Sequence, residues 1–292
     1  MSKALVTGAS YGIGADIARA LARRGHDLVL AARSGETVDR LAAGLESEHG
    51  ITVRTLHADL AAEADMERVA EAVCDADILV NNAGAGLGMS FERTAWTQEQ
   101  RMLMLNVVAP ARLLHAALPG MLLRGSGRIL NVSSVAATGP VWQGTTYGAS
   151  KSFGLALTES LAYSRRLRAS PVALTALVLG HTTSRFHEAA GIAPSPPLLT
   201  LASEYVAERA VRAIHQRRPP VVCVPSLRYK LIAGLLQHLP RRLLTLPGLA
   251  DDFTTVACGD VDPGAGMSAS AGGDGEHGVL AAEARGHGER QL

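Results

Sequence analysis

The chain has 292 residues, 47% of them hydrophobic, with 28 lysines and arginines against 27 aspartates and glutamates, for a formal net charge of +1. That length and apolar content suit one large core, and the near-neutral balance with scattered arginines excludes a nucleic-acid surface. Cys74, Cys223 and Cys258 have no motif spacing and imply neither a disulfide framework nor a zinc site; no cleaved signal peptide is expected, and no apolar run reaches the ~20 residues of a bilayer span.

Residues 3–7 read as a short apolar strand that runs into Gly8, Ala9, Ser10, Tyr11, Gly12, Ile13 and Gly14. Ile13, Ile17, Ala18, Leu21 and Ala22 then fall at the three-and-four spacing of one buried helix face, and Gly25 stands where that helix would end. Strand, glycine turn and helix make a cradle for a pyrophosphate. The glycines let the backbone approach closely, and the helix N-terminus offers unpaired N–H groups and the positive end of a dipole. The spacing is Gly-x-x-x-Gly-x-Gly, and a glycine turn alone also occurs for steric reasons. The next strand, 27–32, ends at Arg33 and Ser34. An acidic residue there would accept from a ribose 2′-hydroxyl; a guanidinium suits a 2′-phosphate, so NADP(H) is expected over NAD(H).

Further strands are expected over 52–58, 78–81, 128–132, 173–178 and 221–224, with helical patterns between them. Crossovers through helices force parallel pairing, so the predicted fold is α/β, a Rossmann-type doubly wound parallel sheet of about seven strands in a single domain. Asn106 falls in a helical stretch over 98–114, Ser134 follows the fifth strand, and Tyr147 and Lys151 stand four apart on one helix face. A phenol titrates near pKa ~10, and a neighbouring ammonium favours the phenolate. Lowering it by about three units takes roughly 4 kcal/mol, which calls for a second positive charge such as an oxidised nicotinamide. The Tyr-x-x-x-Lys spacing alone also describes a surface lysine above a half-buried tyrosine.

Together and in register, these motifs resemble the short-chain dehydrogenase/reductase family over roughly the first 190 residues. Residues 7–14 match its Thr-Gly-x-x-x-Gly-x-Gly loop, residues 81–84 read Asn-Asn-Ala-Gly, Asp59 precedes Leu60 where the family contacts adenine, and Ser134, Tyr147 and Lys151 match the active-site signature. The resemblance implies that Tyr147 is the general acid or base, and that Lys151 lowers its pKa and holds the nicotinamide ribose. Ser134 binds the substrate oxygen, and Asn106 holds a water that relays protons to Lys151. Ser133 is adjacent, but only one of two successive serines can face the cleft, and the thirteen-residue offset selects Ser134. Cofactor contacts are implied for Gly8, Ser10, Tyr11, Gly12, Ile13, Gly14, Arg33, Asp59, Leu60, Asn82, Ala83, Gly84, Tyr147, Lys151, Gly180 and Thr182. The nicotinamide carries the redox step, so no metal is expected, and His181 and His187 read as loop polarity. One departure stands out: the family has Pro-Gly where this chain has Leu179-Gly180, followed by His181, Thr182, Thr183 and Ser184. Which of Thr182, Thr183 or Ser184 meets the carboxamide stays open.

Residues 185–202, with Pro194, Pro196 and Pro197, form a loop where the family places its substrate lid, and Trp142 and Gln143 border the substrate or pack the loop. Residues 226–249, apolar with Arg228, Lys230, His238, Arg241 and Arg242, are expected to form a terminal amphipathic segment over the substrate mouth or an oligomer contact, with peripheral membrane contact the lesser alternative. Residues 1–250 are thus the catalytic domain. Residues 251–292, rich in Gly, Ala, Ser, Asp and Glu, read as a disordered tail. The expectation is a cytoplasmic homodimer or homotetramer, an NADP-dependent oxidoreductase interconverting a ketone or aldehyde and an alcohol. The same cofactor could serve an acyl-linked ketone or an activated imine. The reading from another class is a non-catalytic dinucleotide-sensing or scaffolding protein, against which the complete set Asn106, Ser134, Tyr147 and Lys151 argues.

Overall fold

The computed structural model describes residues 2–89, 91–138, 146–183 and 199–238. Strands β1 (Lys3–Thr7), β2 (Asp27–Ala32) and β4 (Ile78–Asn81) are buried on both faces over most of their length. Their apolar runs are therefore continuous, as in a sheet covered by helices on both sides. With β3 (Val53–His57), β5 (Arg128–Ser134), β6 (Ala173–Leu179) and β7 (Val222–Cys223) they form one parallel sheet in the order β3-β2-β1-β4-β5-β6-β7. The chain builds outward from β1 to β3 and then crosses back to β4. The C-terminal ends of β1 and β4 are the switch point where open α/β sheets bind ligands.

Helices α1 (Gly12–Ala22) and α2 (Gly35–His49) cover one face. The same face carries α8 (Ser203–Ile214), whose Val206, Val211 and Ile214 are at most 1% exposed, each side chain contributing about 2 kcal/mol by burial. Glu208 of α8 pairs with Arg23 and with Arg24, tying the helix to the end of α1. The other face packs α3 (Glu63–Val73) against a long helical run: α4 (Trp96–Leu103), a π-helical turn Met104–Val108, and α5 (Ala109–Arg124). Beside them lies α6 (Thr146–Ala162), followed by the short α7 (Arg165–Arg168).

The sequence expectation of a helix over 98–114 is thus lengthened at both ends and interrupted by a π turn that contains Asn106. The whole run, Trp96–Arg124, is among the described residues the one helix long and apolar enough to cross a membrane by length and composition. In the fold, its Leu113, Ala117 and Met121 sit in the core beneath the sheet.

Strand β5 extends two residues beyond expectation, through Ser133↔Val178 and Ser134↔Leu179 pairing. Strand β7 is shorter, because Pro219, Pro220 and Pro225 bracket it and lack the N–H a ladder needs. The terminal segment corrects the amphipathic expectation. Within 226–249 the described helix is α9 (Leu227–His238), which buries Tyr229 and Ala233 while Leu227, Leu231 and Leu235 face outward, so apolar residues occupy both sides. Trp142, Gln143, Ser184, His187, residues 185–198 of the lid, Arg241, Arg242 and the tail 251–292 with Cys258 lie outside the described residues.

Candidate active site

At the end of β1, Gly8 has φ of +66° and a Cβ there would lie 2.9 Å from Ala83 Cα, while a Cβ on Gly14 would stand 2.3 Å from Gly8 O. Only glycine lets the turn fold this tightly against the start of α1. Thr7 and Asn82 then lock the turn to β4. Thr7 Oγ1 accepts from the N–H groups of Asn82 and Ala83, both at 3.0 Å, and Asn82 Nδ2 donates to Thr7 O at 2.9 Å and Gly8 O at 3.1 Å. Tyr11, at the N-cap of α1, provides no side-chain cap, so the first-turn N–H groups are left for a ligand.

A cleft of about 670 Å³ opens above these strand ends. Gly8, Ser10, Tyr11, Gly12, Ile13, Gly14, Arg33, Asp59, Leu60, Asn82, Ala83, Gly84, Ser134, Tyr147, Lys151, Gly180 and Thr182 all line it. Of the residues assigned from sequence to the catalytic set or to cofactor contact, only Asn106 does not. It lies one layer behind, in a cavity of about 30 Å³ shared with Lys151. At the β2 end, Ser34 joins Arg33 in the lining, and the Tyr11 hydroxyl lies 3.4 Å from Ser34 Oγ and 3.1 Å from Thr37 Oγ1. Asp59 pairs with Arg101 of α4 and accepts from Ala61 N at 3.1 Å. Arg101, 42 residues away, carried no sequence signal.

The two successive serines of β5 have different partners. Ser133 is buried, with its hydroxyl donating to Lys151 O at 3.0 Å, while Ser134 faces the cleft and hydrogen-bonds the Tyr147 hydroxyl. Lys151 Nζ, one helical turn from Tyr147, lies 5.8 Å from the centre of its ring and donates to Val132 O at 3.2 Å. Asn106 Oδ1 accepts from Ala85 N at 2.9 Å, and its Nδ2 donates to Ala85 O at 2.8 Å and Ser150 Oγ at 3.1 Å. Its side chain therefore braces the segment after Asn-Asn-Ala-Gly. A Cβ on Gly84 would come within 3.2 Å of both Asn106 Oδ1 and Lys151 Nζ, so that glycine admits the lysine to the cleft floor. Glu99, missed from sequence, is 1% exposed; it accepts from Thr94 Oγ1 at 2.8 Å and from Thr146 Oγ1, pinning the residue next to Tyr147. Of the residues after β6, Thr182 lines the cleft, whereas Thr183 Oγ1 accepts from Ser203 N at 3.3 Å, at the start of α8.

Burial pushes the Tyr147 phenol up to about 12, with the Ser134 hydrogen bond acting the other way, and burial lowers the Lys151 ammonium to about 8. The sequence reading requires a second positive charge, such as an oxidised nicotinamide, to bring this phenol toward neutral pH, and the protein without that charge holds it high. Desolvation outweighs the Ser134 hydrogen bond, and the phenol is a protonated acid in the protein alone.

The chain matches the family model for short chain dehydrogenases over residues 2–191. It is 35% identical over 159 residues to the very-long-chain 3-oxoacyl-CoA reductase of Pyrenophora tritici-repentis, an overlap of 51% of this chain and 46% of that protein. The chain thus spans about half the length of that curated relative. Among solved structures it is similar to the short-chain dehydrogenase from Sphingobium yanoikuyae in complex with NADPH, with a TM-score of 0.74 and 32% identity over 82% of this chain and 97% of that one. The bulky-bulky ketone specific alcohol dehydrogenase from Comamonas testosteroni gives a TM-score of 0.68 at 29% identity, over 82% and 96% of the two chains.

Proposed function

The chain belongs to the short-chain dehydrogenase family, and from that premise we propose that it is an NADP-dependent enzyme interconverting a ketone or aldehyde and an alcohol, with Ser134, Tyr147, Lys151 and Asn106 as its catalytic set. The observation that carries this reading is the hydrogen-bonded Ser134–Tyr147 pair on the cleft wall with Lys151 one turn along α6. The residues fit a dinucleotide: the Gly8–Gly14 turn and the uncapped α1 receive a pyrophosphate, and Arg33 with Ser34 receives a 2′-phosphate. When bound, the nicotinamide supplies or accepts the hydride.

In reduction, Ser134 and Tyr147 bind the carbonyl oxygen and Tyr147 gives it a proton as negative charge develops. The raised pKa of Tyr147 keeps that proton available throughout the physiological range. In oxidation, Tyr147 must first lose its proton, and positive charge from Lys151 and from an oxidised nicotinamide favours that loss. The Asn106 side chain is committed to Ala85 and Ser150, so a water serving Lys151 would be bound by main chain in the π turn. A cytoplasmic, homo-oligomeric enzyme acting on small carbonyl substrates completes the proposal, with Cys74 and Cys223 as free thiols.

Tyr147→Phe tests it. Carbonyl-dependent NADPH oxidation falls about 10²–10⁴-fold, the range of a lost general acid, while NADPH binding persists. Full turnover by the phenylalanine variant on any accepted substrate refutes the assignment.

A further inference from the structure

The strand order places the end of β2, with Arg33, and the end of β6, with Gly180, at opposite ends of the cleft; Ser134 pairs with Leu179 beside the latter. Gly180, His181 and Thr182 therefore flank the reacting end. Leu179 stands where a proline would otherwise fix φ. Instead, the main chain here is gripped by a side chain 48 residues later.

The ring of Tyr229, in α9 and 3% exposed, occupies the space where a Gly180 side chain would be: a Cβ there would stand 1.8 Å from Tyr229 Cζ. Its hydroxyl accepts from His181 N at 2.9 Å and donates to Leu199 O at 2.6 Å. Behind it, Leu201 N donates to His181 O and Thr183 N to Leu201 O, both at 2.9 Å. A phenylalanine would fill the same core position. What the hydroxyl adds is a bond to the main chain of each of two segments, 181–183 and 199–201.

We propose that Tyr229 is a positioning residue for the reacting end of the cleft: its ring sets Gly180 and its hydroxyl sets His181, so that residues 180–182 grip the nicotinamide half of the bound dinucleotide. This rests on the NADP reading above. A helix far from the glycine loop thereby contributes to binding the half of the cofactor that reacts, and makes no contribution to the half held at Arg33.

The test measures binding of NADPH and of adenosine 2′,5′-bisphosphate, which keeps the Arg33 end and lacks the nicotinamide, to the full chain and to Tyr229→Phe. The NADPH dissociation constant rises about fivefold, roughly the worth of one of the two hydrogen bonds that the phenol makes, and that of the bisphosphate is unchanged. Gly180→Ala, which keeps the phenol but drives its ring aside, gives the same selective loss. A loss of overall stability would weaken both ligands alike, and that outcome, or unchanged NADPH binding in both variants, overturns the inference. If the unaltered protein binds neither nucleotide, the cofactor reading itself fails and this inference falls with it.

Discussion

The two ends of the cleft are held by different kinds of interaction. At the phosphate end, two short motifs bring backbone into close contact: Gly14 lies against Gly8 O, and Thr7 and Asn82 join the ends of β1 and β4. At the reacting end, single side chains brace the start of α6 and the segment after β6, Glu99 on Thr146 across 47 residues and Tyr229 on His181 across 48. A site made of backbone has no slack, because any added atom meets a group that cannot rotate away. One made of side-chain braces yields by degrees.

The largest effect should therefore come from the phosphate end. In Gly14→Ala the new Cβ meets Gly8 O at 2.3 Å and Asn82 Nδ2 at 2.4 Å, with backbone on one side and a doubly bonded amide on the other. NADPH binding by calorimetry is expected to fall more than about a thousandfold, with thermal stability lowered by about 2 kcal/mol from overpacking. Retention of binding within tenfold would show that the turn has the slack denied to it here.

Lys151 offers an intermediate effect of opposite sign. Its folded-state pKa of about 8 lies below the ordinary lysine value of 10.5, so between the two the unfolded chain binds the proton more tightly. The resulting penalty is fully present below about pH 8 and is relieved as pH rises toward 10.5. Lys151→Met, which removes the buried charge, should be more stable than the parent by about 2 kcal/mol at pH 7, while losing turnover. The gap should close toward pH 10.5, and chemical denaturation at the two pH values checks it. A destabilised methionine variant at pH 7 would mean that the bond to Val132 O outweighs desolvation. For the same reason kcat/KM for reduction should be level below about pH 8 and fall above it as Lys151 deprotonates; Tyr147, at about 12, keeps its proton throughout.

The same contrast explains what could be read from the sequence. The glycine turn, the Asn-Asn-Ala-Gly segment, Arg33 and the Ser134–Tyr147–Lys151 spacing are local patterns whose chemistry survives translation into one dimension, and all of them line one cleft. The parallel pairing of the sheet followed from alternating strand and helix patterns. Glu99, Arg101 and Tyr229 were illegible because each acts on a residue more than forty positions away and resembles an ordinary helix residue where it stands. The π turn around Asn106 was hidden because apolar periodicity continues through it into α5. The short β7 could have been foreseen, since its bracketing prolines are plain in the sequence. The raised Tyr147 pKa could not, because desolvation depends on everything packed around the phenol.

The smallest change makes the most direct test of the central claim, that this cleft is built for a 2′-phosphorylated nicotinamide dinucleotide. Calorimetric titration of the full chain with NADPH and with NADH should show NADPH binding at least about tenfold tighter, and Arg33→Ala should bring the two together by removing a charge-assisted pair. Equal affinity for both nucleotides in the unaltered protein, or a preference that survives Arg33→Ala, would contradict the assignment of the β2 end.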